Sequence, residues 1–421
     1  MATILLISKQ GDGVPIALRL SQEGHVVKVW VKESKAKSSL LGFKNPSKIG
    51  DPKKAIEGVD LILGDMAGLG EICDWFSQKG KLVLGGGFFN DKLELDREYG
   101  VKVAKSLMKI KVPKSIMCKT PEESITYLKE AKVPQVIKPL GNAPTGLTLV
   151  SSDDKNRTLI SYLQTMGDKL TPCLVQEVIK GVELSTEGWF NGEEWVLPFN
   201  HTFEKKRFME GDKGPNTGCM GNVVWPTEGD KLINETLLPL KPLLKKMDYI
   251  GPLDVNCIIT EKEAYFLEFT SRFGYDAIQA WSELLKEPIF EFLYWITIGQ
   301  AKEVPHSNEQ AIAVRLSLPP WPNFEGTEKL KGIQFLDIPE EAERHVWLSD
   351  VQKDKEGTLV CSGVDGVLGC VTARGTSVRE CQRRVYRTIK NIIIHPDVQY
   401  RSDIGEKVDE KRNQLKSWGW I

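Results

Sequence analysis

No run of about twenty apolar residues, the length a bilayer crossing requires, occurs in the sequence. The first residues, MATILLISKQGDG, hold only a short apolar stretch, so no signal peptide is expected. A basic excess is also missing. Lysine and arginine total 56 against 57 acidic residues, for a formal charge of −1, whereas a generic polyanion binder carries surplus positive charge to displace counterions. The eight cysteines form no CxxC pair and have no histidine cluster beside them. That excludes a disulfide framework and a zinc site, and it predicts reduced, mostly buried thiols in a cytoplasmic protein. With five scattered histidines, no Ser/His/Asp or Cys/His nucleophile constellation is apparent. Membrane, secreted and zinc-finger classes are set aside, and no nucleic-acid partner is expected.

What is there is a globular mixture, 41% apolar and 27% charged, in 421 residues. Over the first hundred residues short apolar runs alternate with amphipathic stretches: strands at 3–7, 26–31, 61–63 and 82–84, and a helix over 15–22. This is the rhythm of a parallel α/β sheet. Gly11-Asp12-Gly13 follows the first strand without GxGxxG spacing, so a tight strand-to-helix turn is favoured over a dinucleotide cradle, and a Rossmann-type dehydrogenase using Glu33 as its ribose acid is disfavoured. A helix is expected over 94–108 and another from Pro121, capped by Thr120. Strands follow at 136–138 and 174–179. Residues 250–268 read as a hairpin around Thr260–Glu263. After Pro319-Pro320-Trp321-Pro322 the composition shifts to short strands and a basic helix over 377–394, which predicts a separate small α+β unit.

The hairpin carries the clearest chemistry. Glu268 and Thr270 share a strand face, and a turn centred on Lys262 sets Asn256 opposite Glu268 on that face. One carboxylate with neutral oxygen neighbours suits Mg²⁺. Arg272 would share the face and could meet a substrate carboxylate or phosphate; an ordinary Glu268–Arg272 pair on a solvated face carries equal weight. Lys138, enclosed by Val136, Ile137 and Leu140 and followed by the run 141–146, reads either as a lysine facing a ligand or as a snorkelling strand-end residue. Lys206-Arg207 followed by the glycine-dense stretch 211–221 reads as a loop whose amides, with Asn216 and Thr217, collect an anion.

At these residues the sequence resembles an ATP-grasp ligase and, within that superfamily, the phosphoribosylamine–glycine ligases of purine biosynthesis. The resemblance rests on GPNTGxMG at 214–221 with Lys206-Arg207 upstream, EFxxRFG at 268–274, and the run from Val371-Thr372-Ala373 to Tyr400–Gly405. It covers essentially the whole chain. It implies an α/β and α+β multidomain ATP-grasp fold, with a Rossmann-like domain over 1–103, an ATP-grasp domain over 104–322 containing a lid at about 114–180, and a C-terminal α+β domain over 323–421. It implies catalytic roles for Lys138, Arg207 and Arg272, and nucleotide contacts from Arg97, Lys138, Glu177, Val178, Glu183, Lys206, Asn216 and Thr217. Glu183 would hold the ribose hydroxyls and Glu177-Val178 the adenine. Metal ligands would be Glu268, Asn256 and Thr270, with Mg²⁺ or Mn²⁺ beside ATP. The implied partners are small molecules (ATP, glycine or a similar amino acid, an amine) acting on a monomer.

Four departures bear on the amine. The family's N-terminal Arg-Glu-His-Ala is replaced by Val14-Pro15-Ile16-Ala17, its metal-site Asn by Thr270, and its Asp-Pro-Glu-Thr-Gln by Tyr275-Asp276-Ala277-Ile278-Gln279, and the lid loop lacks Gly-Lys-Gly. The ATP half is kept and the ribose-phosphate half is not. Asp12 either repels a phosphate or caps the following helix. The expected activity is amide formation through an acyl phosphate. The alternatives are the same chemistry with another amine, or a non-catalytic nucleotide-binding relative.

Overall fold

The computed structural model describes residues 1–140, 148–151, 153, 155–334, 338–392 and 395–421. Thr3–Ser8 (β1), Val26–Val31 (β2), Ser47–Lys48 (β3), Leu61–Gly64 (β4) and Val83–Leu84 (β5) form a parallel sheet in the order β3-β2-β1-β4-β5. Ile4–Ile7 are fully buried because both sheet faces are covered. Ile4 and Leu6 share a core with Ile16, Ala17 and Leu20 of Val14–Gln22 (α1), while Leu5 and Ile7 meet Cys73 and Phe76 of Gly70–Gln78 (α2). The single helix expected over 94–108 is instead two, Phe88–Leu95 (α3) and Arg97–Leu107 (α4). The chain breaks at Asp96, whose carboxylate accepts from the Tyr99 amide at 3.0 Å and starts the second helix.

Ser115–Cys118 (β6), Gln135–Pro139 (β7), Leu149–Val150 (β8) and Cys173–Glu177 (β9) form an antiparallel sheet in the order β6-β9-β7-β8. Pro121–Glu130 (α5) and Arg157–Leu170 (α6) share its core, which holds Leu128, Ile137, Leu159, Leu163 and Val175 and is separate from the main one. As expected, Thr120 caps α5, accepting from the Glu123 amide at 3.3 Å. The loop 141–146 lies outside the described residues.

The third body is an eight-stranded antiparallel sheet. Its strands are drawn from Val182–Asn191 (β10), Trp195–Met209 (β11), Lys213–Thr227 (β12), Ile250–Ile259 (β13), Ala264–Thr270 (β14), Gln310–Ser317 (β15) and Val346–Leu348 (β16). Val351–Lys353 (β17) and Leu359–Cys361 (β18) pair apart from it, and Val367–Gly375 (β19) returns to it, giving the order β14-β13-β10-β11-β12-β15-β19-β16. Two expectations are corrected here. Residues 206–221 are not a loop but the arms of a long β11–β12 hairpin. The strands after residue 322 are not a detached unit either. Wholly buried β15 pairs β12 on one side and β19 on the other, so one sheet and one core run across that position. The basic helix is Val378–Asn391, capped by Ser377. All eight cysteines are buried and unpaired, and no described helix is long and apolar enough to cross a membrane.

Candidate active site

The β13–β14 register places Asn256 opposite Glu268 and Asp254 opposite Thr270, the face-sharing expected from the turn position. Beyond it, β10 sets Ser185 beside Asn256 and Glu187 beside Asp254. Antiparallel pairing keeps side-chain faces in step, so one sheet face gathers a row of acids and amides from three strands, and β11 adds Lys206. The Lys206 ammonium lies 3.3 Å from Glu183, 3.5 Å from Glu204 and 3.5 Å from Glu268. Burial alone would push the Glu268 carboxyl up, but Lys206, Lys138 and Arg97 outweigh it and hold it at about 2. Glu183 is also lowered, because the pull of Lys206 and a 3.0 Å hydrogen bond from Asn256 Nδ2 exceed the cost of burial.

That hydrogen bond leaves Asn256 Oδ1 buried with no partner among the described residues. An orphaned amide oxygen opposite an ionised carboxylate is a donor set that fits a hard divalent cation, which takes one or two carboxylates and completes its shell with phosphate oxygens and water. Among the described residues no group of three or more His, Cys, Asp or Glu side chains is arranged for a metal, so an all-protein cage is ruled out there.

Lys138 on β7 faces this cluster. Its ammonium is lowered by burial and by the like charges of Arg97 and Lys206, against the attraction of Glu268 and Glu183, so it faces the site rather than snorkelling into solvent. Arg97, exposed at the first turn of α4, acts on both Lys138 and Glu268. At the pair expected to meet adenine, the Glu177 amide donates to the Lys114 carbonyl at 3.0 Å and the Val178 amide to the Pro134 carbonyl at 2.9 Å. The Glu177 carboxylate accepts from the Lys114 amide at 2.9 Å. Adenine recognition at these two residues cannot use their amides.

The glycine-dense stretch also differs from its expected use. Its amides largely join the β11–β12 ladder, and the Thr217 hydroxyl donates to the Lys206 carbonyl at 2.8 Å. Arg207 pairs in register with Asn216 and donates to the Gly214 carbonyl at 2.8 Å. Two glycines are there for close packing: a Cβ at Gly218 would lie 3.2 Å from the Tyr275 ring, and one at Gly221 (φ +148°) 2.5 Å from the Ala313 carbonyl. The hairpin tip is clamped from the far end of the chain. Arg401, only 1% exposed, donates to the Arg207 carbonyl at 2.8 Å, pairs with Asp212 at 3.1 Å and chelates Asp403, while the Gly211 amide donates to Asp403 at 3.0 Å. Arg401→Met should therefore cost about 3–5 kcal/mol, the usual result of stripping one partner from a buried pair. Urea unfolding measures it, and a change below about 1 kcal/mol would show that the clamp is dispensable.

Arg272 lies past the end of β14 and pairs with neither Glu268 nor open solvent. It donates to Glu94 on α3 at 3.2 Å and to the Phe273 carbonyl at 2.9 Å, and its guanidinium sits 4.2 Å from the Tyr275 ring centroid. Asp12 does not cap α1: the cap residue is Gly13, with no side-chain hydrogen bond. Glu33 makes a 3.4 Å pair with Lys35, an ordinary surface contact.

Residues 97–277 match the family "Phosphoribosylglycinamide synthetase, ATP-grasp (A) domain". A phosphoribosylamine–glycine ligase from Clostridium acetobutylicum is 26% identical, with 96% of this chain and 99% of that protein covered. One from Caldanaerobacter subterraneus is 29% identical over 67% of this chain and 69% of its own length. The chain is thus similar to these ligases along nearly its whole length, and its middle part matches their ATP-grasp domain. The crystal structure of a Thermotoga maritima phosphoribosylamine–glycine ligase has the same fold, with a TM-score of 0.71 at 22% identity, covering 96% of this chain and all of that one.

Within this ATP-grasp arrangement, three acids of the candidate site escape a reading of motifs: Glu187, Glu204 and Asp254. Burial pushes Glu187 up to about 7, and it raises Glu204 and Asp254 with help from their acidic neighbours. The available signal was polar residues at a period of two inside otherwise apolar strands, Glu183-x-Ser185-x-Glu187 and Asp254-x-Asn256.

Proposed function

We propose that this chain is an ATP-dependent carboxylate–amine ligase of the phosphoribosylamine–glycine ligase kind, forming an amide through an acyl phosphate. The observation that carries the reading is the Glu268–Asn256 pair ringed by Lys206, Lys138 and Arg97 beside the separately cored 115–177 unit. A carboxylate does not react with an amine at neutral pH, because its leaving group would be oxide. Phosphoryl transfer from ATP to the carboxylate of glycine or a similar small amino acid replaces that leaving group with phosphate. Catalysis of such a step is mostly positioning and charge compensation.

Lys138 and Arg97 would offset charge on the transferring phosphoryl group, and Lys206, Glu183, Glu177 and Val178 would place the nucleotide. Glu268, the Asn256 amide oxygen and Thr270 would hold Mg²⁺ or Mn²⁺, which when bound supplies Lewis-acid neutralisation of the phosphates. Asn216 and Thr217 would help place the nucleotide, and Arg207 and Arg272 would act on the reacting carboxylate. The 114–180 unit would act as the lid, which the chemistry requires because water destroys an acyl phosphate. Domain limits at 103 and 322 mark functional parts sharing one core. Buried, unpaired cysteines support a cytoplasmic setting, in which the chain is read as a monomer acting on small molecules.

Hydroxylamine traps acyl phosphates without needing the natural acceptor. ATP, glycine and hydroxylamine should yield glycine hydroxamate and ADP with strict dependence on Mg²⁺. A full screen of small amino acids without hydroxamate would remove the ligase reading. A second reading keeps this chemistry and changes the acceptor; it is favoured by Asp12, which turns away from α1.

A further inference from the structure

Between the β1–α1 turn and the C-terminal strands lies a small cavity whose lining includes Asp12, Asp65, Gln279, Arg315, Asp350 and Asp365. Two loops facing it have the backbone shape that gathers phosphate oxygens, and each is already filled by an aspartate of the chain. Asp65 accepts from Ser8 Oγ at 2.5 Å, from the Lys9 amide at 3.1 Å and from the Gly13 amide at 2.7 Å. Asp350 accepts from the Ser362 hydroxyl and from the amides of Val364 (2.9 Å), Asp365 (3.2 Å) and Gly366 (3.0 Å). A phosphate would find these donors taken and carboxylates in their place.

The remaining groups are short of donors. Asp12 Oδ2 is buried without a partner among the described residues. Among the described residues Asp365 accepts only from the Val367 amide, at 2.8 Å. The cations nearby are committed, Arg315 to Asp276 at 2.8 and 3.0 Å and Arg272 to Glu94. Independently of the acids, Gln279 is 5% exposed, lines the same cavity and has a buried Oε1 with no hydrogen-bond partner among the described residues. Burial holds Asp65 and Asp365 at about 7, each raised further by a neighbouring aspartate, and the pull of Arg315 on Asp365 does not outweigh this. The cavity measures about 60 Å³, several times the roughly 10–15 Å³ that one water needs on this measure, which is room for an ammonium group.

We propose that the acceptor is an aliphatic amine bearing a second cationic group, whose ammonium end seats between Asp12, Asp365 and Gln279; this rests on the ligase reading above. The uncharged amino end attacks the acyl carbonyl and the C–N bond forms. The bond from the acyl carbon to the phosphate oxygen breaks, and the departing phosphate carries away the proton lost by nitrogen.

The test titrates the full-length protein calorimetrically with 1,4-diaminobutane, neutral 1,4-butanediol and anionic ribose 5-phosphate, beside the hydroxamate assay. The diamine should bind at least tenfold more tightly than either control and give glycyl-diaminobutane by mass spectrometry. Asp12→Asn and Asp365→Asn should each weaken its binding tenfold or more while ATP binding is unchanged. Equal binding of the three probes, or diamine binding untouched by both variants, overturns the proposal. Hydroxamate without diamine binding leaves the ligase standing and sinks this inference alone. Diamine binding without hydroxamate fails the ligase reading, and the acceptor role with it.

Discussion

Glu268→Gln and Lys138→Ala should each lower ATP turnover by two to three orders of magnitude while the fold stays intact. Removing one preorganised electrostatic partner from a developing charge typically costs about 2.7–4 kcal/mol of barrier. The Glu268→Gln change keeps the shape of the side chain but removes the charge that attracts a cation. Lys206 would still be held by Glu183 and Glu204, so the sheet has no reason to open. Lys138 is partly buried, and the attraction of Glu268 and Glu183 for it is offset by burial and by the like charges of Arg97 and Lys206, so its loss should change the stability of the free protein little. Its cost should therefore appear in kcat rather than in stability. ADP release under saturating substrates is the measurement, with circular dichroism and urea midpoints taken first. Wild-type turnover from either variant would remove that residue from the site.

The second large effect concerns phosphoribosylamine. Turnover of freshly generated phosphoribosylamine with glycine should fall below a kcat/KM of about 10⁴ M⁻¹s⁻¹, the lower end of the ordinary enzyme range, beside robust ATP binding. Two like charges about 4 Å apart near a protein surface repel by about 4 kcal/mol at an effective dielectric of about 20, before screening. Asp12 faces the cavity instead of capping α1, and Asp65 has taken the amides of the turn. Asp12→Asn should raise whatever activity remains with this substrate. A wild-type value at or above the stated limit would show that the missing Arg-Glu-His is tolerated and that the protein is a purine-pathway ligase in substrate as well as in mechanism.

Much of the ATP-facing half is legible in the order of residues. A four-residue polar turn between two apolar arms sets the β13–β14 register, and the register sets Glu268 against Asn256. Lys138 is marked by the apolar residues around it, and α5 by its Thr-Pro-Glu-Glu start. These inferences succeed because strand period, turn chemistry and capping depend on neighbours only a few positions away. Where local rules were pushed further they failed. The glycines at 214–221 read as an anion loop, yet Gly218 and Gly221 are small because Tyr275 and the Ala313 backbone press on them. The proline cluster at 319–322 read as a domain boundary, but β15 goes on pairing with β19 beyond it.

What the linear pattern could settle, then, was the succession of elements, the facing of Glu268 and Asn256, and the burial of the eight cysteines. Three-dimensional packing alone decided which charges meet. Lys206 joins acids at 183, 204 and 268, Arg272 turns to Glu94, and Arg401 reaches back to Arg207 and Asp212. Packing also decided that Asp65 fills the turn after β1, leaving Asp12 to face the cavity. Partners so far apart along the chain are chosen by which surfaces bury together and by the requirement that buried polar groups find a partner. Neither condition is written within reach of any one sequence window.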